Sequence, residues 1–151
     1  MQKITPFLWF DSQAEEAAKF YVSVFKHSMM DGVSRYGDGM PLPKGTVMTA
    51  AFEIEGQSFV ALNGGPQFKF TEAVSFVVNC DTQKDIDYYW DKLTAGGGKE
   101  VQCGWLKDRY GLSWQIVPTA LPELVGKSGR VMEALMHMKK LDIAALQRAA
   151  A

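Results

Sequence analysis

Asp108-Arg109-Tyr110-Gly111-Leu112-Ser113-Trp114-Gln115-Ile116-Val117-Pro118 is the stretch on which the reading of the fold turns. Asp-Arg-Tyr-Gly has the composition of a turn, and the run after it places polar Ser113 and Gln115 at alternate positions between apolar residues. Pro118 ends the run because a proline has no N–H to give to a ladder. A strand is therefore expected, with Ser113 and Gln115 on one face and Leu112, Trp114 and Ile116 on the other.

Upstream of this strand lie Trp105 to Lys107 and Val101 to Cys103, both expected as short strands, and a helix stopped by Gly96-Gly97-Gly98. Ile86, Tyr89, Trp90 and Leu93 form the apolar side of that helix, and Asp81-Thr82 supplies its cap. Val74 to Asn79 precedes it as a strand. The order of this half is βαβββ. The first half gives the same order: a strand over Ile4 to Phe10, then a helix capped by Asp11-Ser12 that carries Ala17, Phe20, Tyr21, Val24 and Phe25 at helical spacing. Strands follow over Met30 to Tyr36, Thr46 to Ile54 and Ser58 to Asn63, the last two joined by the tight turn Glu55-Gly56-Gln57. Asp11-Ser12-Gln13 recurs as Asp81-Thr82-Gln83, and Phe20 maps onto Trp90 at the same offset of 70. A repeated order together with repeated letters implies an internal duplication. The expected class is α+β, with two βαβββ modules forming a cleft-bearing, barrel-like sheet. One domain over 1–118 contains module one (1–66) and module two (67–118), and Gly64-Gly65-Pro66 is a turn between them. Residues 119–151 form a helical extension.

The chain has 151 residues and 47% apolar content, enough for a domain that buries about two thirds of its unfolded surface. Sixteen basic and 17 acidic residues are scattered to a net charge of −1, which disfavours nucleic acid and anionic membranes as partners. No apolar run approaches the roughly 20 residues of a membrane span, and the N-terminus lacks a signal core, so a cytoplasmic protein is expected. Cys80 and Cys103 lack C-x-x-C spacing and are expected as free thiols. With only His27 and His137, both on helices, no catalytic triad is suggested. Trp90 is expected in the core, whereas Trp9 and Trp105, on alternating strands, are candidates for a ligand surface. Val131, Met132, Leu135, Met136 and Met138 make the tail apolar on more than one stripe, so it must pack on the domain or on a second subunit.

Ile4-Thr5-Pro6-Phe7-Leu8-Trp9-Phe10-Asp11, Ala14-Glu15-Glu16-Ala17 with Phe20-Tyr21, Leu62-Asn63-Gly64-Gly65-Pro66, Asp87 to Leu93 and Asp108 to Pro118 resemble the PhnB-like branch of the vicinal oxygen chelate superfamily. This is the glyoxalase and bleomycin-resistance fold, often labelled 3-demethylubiquinone-9 3-methyltransferase-like, and the resemblance extends into the tail through Leu121-Pro122-Glu123-Leu124 and Met138 to Ile143. It implies a homodimer and, in metal-using relatives, four ligands projecting into a cleft. Carried onto this chain, the last-strand glutamate falls on Gln115. The other positions fall near Ala73, on Lys3 or Thr5, and near Ala61 or Asn63. A divalent transition metal needs more and better donors than Asn63 and Gln115, so no metal and no other cofactor is expected. A methyltransferase binding its cofactor on a doubly wound sheet would show a glycine-rich turn after the first strand, and Asp11-Ser12-Gln13 has no glycine. The leading expectation is a protein that binds a small molecule without the usual metal, through Trp9, Asn63, Trp105, Ser113 and Gln115. The rivals are a metal-dependent lyase, isomerase or dioxygenase, and a dimeric interaction protein without a ligand. Gln115 can also serve as an internal hydrogen-bonding group.

Overall fold

Pro6 leaves no N–H for a ladder, and the first strand begins directly after it. In the computed structural model, which describes residues 2–151, β1 runs Phe7–Phe10 and is followed by α1 (Ala14–Val24), β2 (Met29–Arg35), β3 (Val47–Ile54) and β4 (Gln57–Asn63). The sheet order is β1-β4-β3-β2, with β1 parallel to β4 and the other pairs antiparallel. Glu55 and Gly56, at φ 50° and 77°, make the two-residue turn that joins β3 to β4. Both central residues of a type I′ turn need positive φ, which matches the twist of the flanking strands. Ala14, Ala17 and Ala18 are fully buried, so α1 lies close on the sheet. Tyr21 stacks on Phe52 at 6.0 Å and Phe52 on Phe59 at 5.5 Å. Burial of each such ring is worth about 1.5–3 kcal/mol.

The second half repeats the plan. β5 (Ser75–Cys80), α2 (Gln83–Thr94), β6 (Lys99–Glu100), β7 (Trp105–Lys107) and β8 (Ser113–Pro118) form a sheet of order β5-β8-β7-β6, again with the first strand parallel to the last. The expected α+β class with two βαβββ modules is thus the observed one, and each sheet is an open four-stranded sheet. The chain divides into two compact units, one ending at Lys69 and the other starting at Phe70. In the second unit Ile86, Trp90 and Leu93 of α2 are buried, as are Leu106, Trp114 and Ile116 of the sheet. The Trp90 indole N–H donates to Glu100 at 2.6 Å, so this tryptophan is a core residue with its one polar atom satisfied.

Two local expectations are corrected. The strand expected over Val101 to Cys103 lies two residues earlier, at Lys99–Glu100, because residues 101–104 form a turn whose amides serve other partners. Cys103 has φ 62°, and the N–H groups of Cys103 and Gly104 donate to Met138 and Lys139 carbonyls at 2.7 and 2.8 Å. The cap of α1 is not Asp11-Ser12. Gln13 occupies the cap position without a side-chain cap bond, and the Ala14 N–H is met by Asn63 Oδ1 from β4 at 2.8 Å.

The tail forms α3 (Leu121–Lys127), α4 (Gly129–Met136) and α5 (Ile143–Ala150). Leu124, Val131, Leu135, Leu141 and Leu146 bury one another, and Ser128 and Asp142 cap α4 and α5. Gln83, the first residue of α2, holds this tail. Its amide nitrogen donates to the Leu141 carbonyl at 2.9 Å and its oxygen accepts the Ile143 N–H at 2.8 Å. Lys140 pairs with Asp87 at 2.9 Å beside a solvent-open hollow of about 360 Å³. No helix among the described residues is long and apolar enough to cross a membrane.

Candidate functional site

Asp108 is buried, and it aims β8. One carboxylate oxygen accepts the Tyr110 and Leu112 N–H groups at 2.9 and 3.1 Å, and the other accepts the Trp114 indole N–H at 3.0 Å. The turn from Asp108 to Gly111 is thereby closed, and Trp114 is fastened on the side that α2 covers. Strand alternation then sends Ser113 and Gln115 to the opposite face.

On that face the pairing registers line up two rows. Ser113 stands between Ser75 of β5 and Lys107 of β7, and Gln115 stands between Val77 of β5 and Trp105 of β7. The Gln115 amide nitrogen donates to Ser75 Oγ at 2.9 Å. Its oxygen accepts no hydrogen bond from the described residues, and Ser113 Oγ is fully buried with no partner there. A buried hydroxyl left alone costs about 1–3 kcal/mol. Lys107 forms an ion pair with Glu72, whose carboxyl is held below its ordinary value mainly by the hydrogen bond from that ammonium. Of the residues expected at a site, Trp105, Ser113 and Gln115 thus share one surface. Ser75 and Lys107 join them, and only the ladder registers point to these two; neither carries a sequence motif of its own.

Trp9 and Asn63 belong to the first unit and lie on opposite faces of its sheet. The Trp9 indole N–H donates to the Gly65 carbonyl at 2.9 Å, and its ring meets Phe68 edge to face at 5.0 Å. The ring also lies against Gly64, where a Cβ would come within 2.3 Å of Trp9 Cζ2. The expectation that Asn63 joins Gln115 at a ligand surface is corrected by register and by bonding. Phe7 pairs with Val60 and Phe10 with Asn63, while Val77 pairs with Gln115 and Cys80 with Pro118. At the offset of 70 the counterpart of Gln115 is therefore Val60, and that of Asn63 is Pro118. Asn63 is buried on the α1 side, its oxygen taken by Ala14 and its nitrogen donating to the Val47 carbonyl at 3.1 Å.

The donor set beside Gln115 does not fit a divalent transition metal. Its oxygens are neutral amide and hydroxyl groups, and the charged neighbour, Lys107, is a cation. Among the described residues no three His, Cys, Asp or Glu side chains cluster in a way that could hold a metal ion. Both cysteines are free thiols, and burial, the largest cause, pushes the Cys80 thiol up to about 11. Cys80 therefore stays protonated at neutral pH and serves as an apolar group.

Two βαβββ modules in one chain, each with its first strand parallel to its last, define a protein of the vicinal oxygen chelate class, the glyoxalase and bleomycin-resistance fold. Residues 2–117 match the model of the family described as 3-demethylubiquinone-9 3-methyltransferase. The chain belongs to this family, in its PhnB-like branch. It is similar to the PhnB protein of Bacillus cereus, with 38% identity over 78% of this chain and 100% of that one, at a TM-score of 0.71. A Pseudomonas aeruginosa protein shares the fold at 19% identity and a TM-score of 0.64, over 78% of this chain and 98% of that one. The fosfomycin resistance protein FosX of Mesorhizobium loti shares it at 14% identity and 0.58, over 83% and 99%. None of the curated proteins matches the sequence.

Proposed function

We propose that this PhnB-like protein binds a small molecule on the face of the second sheet opposite α2, without a metal centre. The observation that carries the proposal is the buried, partnerless hydroxyl of Ser113 beside a Gln115 amide whose oxygen is open. A ligand offering an acceptor to Ser113 and a donor to Gln115 satisfies both, each bond contributing about 0.5–1.5 kcal/mol. Trp105, half-buried in the Gln115 row, supplies an aromatic surface for an apolar body. Asn63 is given a positioning role instead: it holds the start of α1 against β3 and β4. Trp9 is likewise given a structural role within the first unit, where its indole N–H donates to the Gly65 carbonyl and its ring meets Phe68. Methyl transfer is not proposed, since the β1 to α1 turn, Asp11-Ser12-Gln13, has no glycine for a nucleotide-type cofactor.

A thermal-shift screen of small molecules tests the reading, with elemental analysis of protein purified without chelator. A ligand present at 100 times its dissociation constant should add about 2.7 kcal/mol of stability, and Gln115→Ala, by weakening it about tenfold, should cut the gain to about 1.4 kcal/mol. A stoichiometric transition metal would instead favour a metal-dependent lyase, isomerase or dioxygenase. The tail leaves Met132 and Met136 exposed, at 43% and 61%, and this apolar surface supports self-association as a homodimer. Sedimentation showing a monomer at micromolar concentration would remove that part of the proposal.

A further inference from the structure

We infer that the ligand carries an anionic oxygen group, most simply a carboxylate, and that the row Ser75, Ser113 and Lys107 receives it. This inference rests on the reading of the Gln115 face as a ligand site and names the chemistry of one end of the ligand.

Three side chains stand side by side across β5, β8 and β7: two hydroxyls and an ammonium. Ser113 Oγ is fully buried and has no partner, so the protein carries an uncompensated donor at the centre of the row. Lys107 lies at its edge with a third of its side chain exposed, and the carboxylate it holds is the chain's own Glu72. Glu72 comes from the segment before β5 and its side chain is 60% exposed, so the pair is screened by water and weak. A ligand carboxylate that also takes the Ser113 hydroxyl gains a second, charge-assisted bond that Glu72 does not make. Lys99, the register partner of Lys107 on β6, is exposed and adds a second positive charge next to the row. Glu100, one residue further along, does not oppose this charge. It is paired with Leu106, on the α2 side, and accepts the Trp90 indole N–H. The neighbouring row, Val77, Gln115 and Trp105, is apolar and aromatic around one amide. Together the two rows fit a small acid with a flat apolar body.

Benzoate and benzamide share one flat body and set charge against hydrogen bonding: benzoate brings a charge for Lys107, and benzamide brings an N–H donor for Gln115 and no charge. Calorimetric titration of each into the full chain is expected to show benzoate binding at least about tenfold more tightly than benzamide. Lys107→Met should abolish that preference, and Ser113→Ala should reduce it. Glu72→Gln removes the internal competitor and should strengthen benzoate severalfold while leaving benzamide unchanged. Because Glu72 is exposed, this variant tests the idea even if a substitution in the sheet fails to fold. Equal binding of the two compounds, a preference that survives Lys107→Met, or benzoate weakened by Glu72→Gln overturns the anionic-group inference. If benzamide binds as well as benzoate and Gln115→Ala weakens benzamide about tenfold, the ligand face stands and the anion row falls. If neither compound binds and the wider screen also finds none, both are overturned.

Discussion

The two modules have one strand order and two chemistries. In the first, Val60 and Leu62 stand where the second has Gln115 and Val117, and the α1 cap comes from Asn63, 49 residues away on β4. In the second, α2 is capped by its own Thr82, whose oxygen accepts the Asp85 N–H at 3.1 Å, and Pro118 occupies the place of Asn63. The outer strands differ as well: β2 and β3 have seven and eight residues, β6 and β7 two and three. In the second unit the turn before β7 gives its amides to the tail, and buried Asp108 closes the turn before β8. Topology is therefore kept by which strands pair, while residues at equivalent registers are free to diverge in chemistry.

The largest effect should come from Asp108. Asp108→Ala leaves two backbone N–H groups and the Trp114 indole without their acceptor in a buried turn. A loss of about 3 kcal/mol or more is expected in chemical denaturation. A loss below about 1 kcal/mol would mean that the carboxylate does not organise β8.

Next come the two caps, which set the modules against each other. Asn63→Ala removes a cap and also strands the Val47 carbonyl, for an expected cost of about 2 kcal/mol, whereas Thr82→Ala removes a local cap for about 1 kcal/mol. If the two cost the same, the long-range cap is no more than a local one.

The smallest effect lies at the tail. The hydrogen bond from Lys140 holds the Asp87 carboxyl below its ordinary value. A carboxylate lowered in the folded state contributes stability that is fully present above its unfolded pKa and lost as pH falls through the folded one. The pair is partly exposed, so Lys140→Met should cost no more than about 0.5 kcal/mol at neutral pH. Its difference from the unmodified protein should vanish in acid, as a denaturation series from pH 7 down to about pH 2 would show. A difference that grows in acid contradicts the assignment.

Much of the fold was legible because it depends on local signals. The offset of 70 holds from β1 through α1, where Asp11-Ser12-Gln13 and Asp81-Thr82-Gln83 begin equivalent helices, and alternation in 112–118 was enough to put Gln115 opposite Trp114. What escaped depends on partners far apart in sequence. Asn63 looks like a surface amide at a strand end until α1 is seen to begin over it, and Cys103 looks like a strand residue until the tail takes its N–H. Ser75 and Lys107 are ordinary letters whose meaning comes only from standing on either side of Ser113. After β1 and α1 the modules differ in loop and strand length, so an offset read from the helices does not carry to the last strands.

The most direct test of the account is the ligand-induced rise in the thermal midpoint of chelator-treated protein, measured on the unmodified chain, Gln115→Ala and Val60→Ala with a compound selected by the screen. The account predicts that the rise survives chelation, that Gln115→Ala reduces affinity about tenfold, and that Val60→Ala leaves it unchanged. A rise that disappears on chelation and returns with zinc, nickel or manganese, or affinity that survives Gln115→Ala, would contradict it.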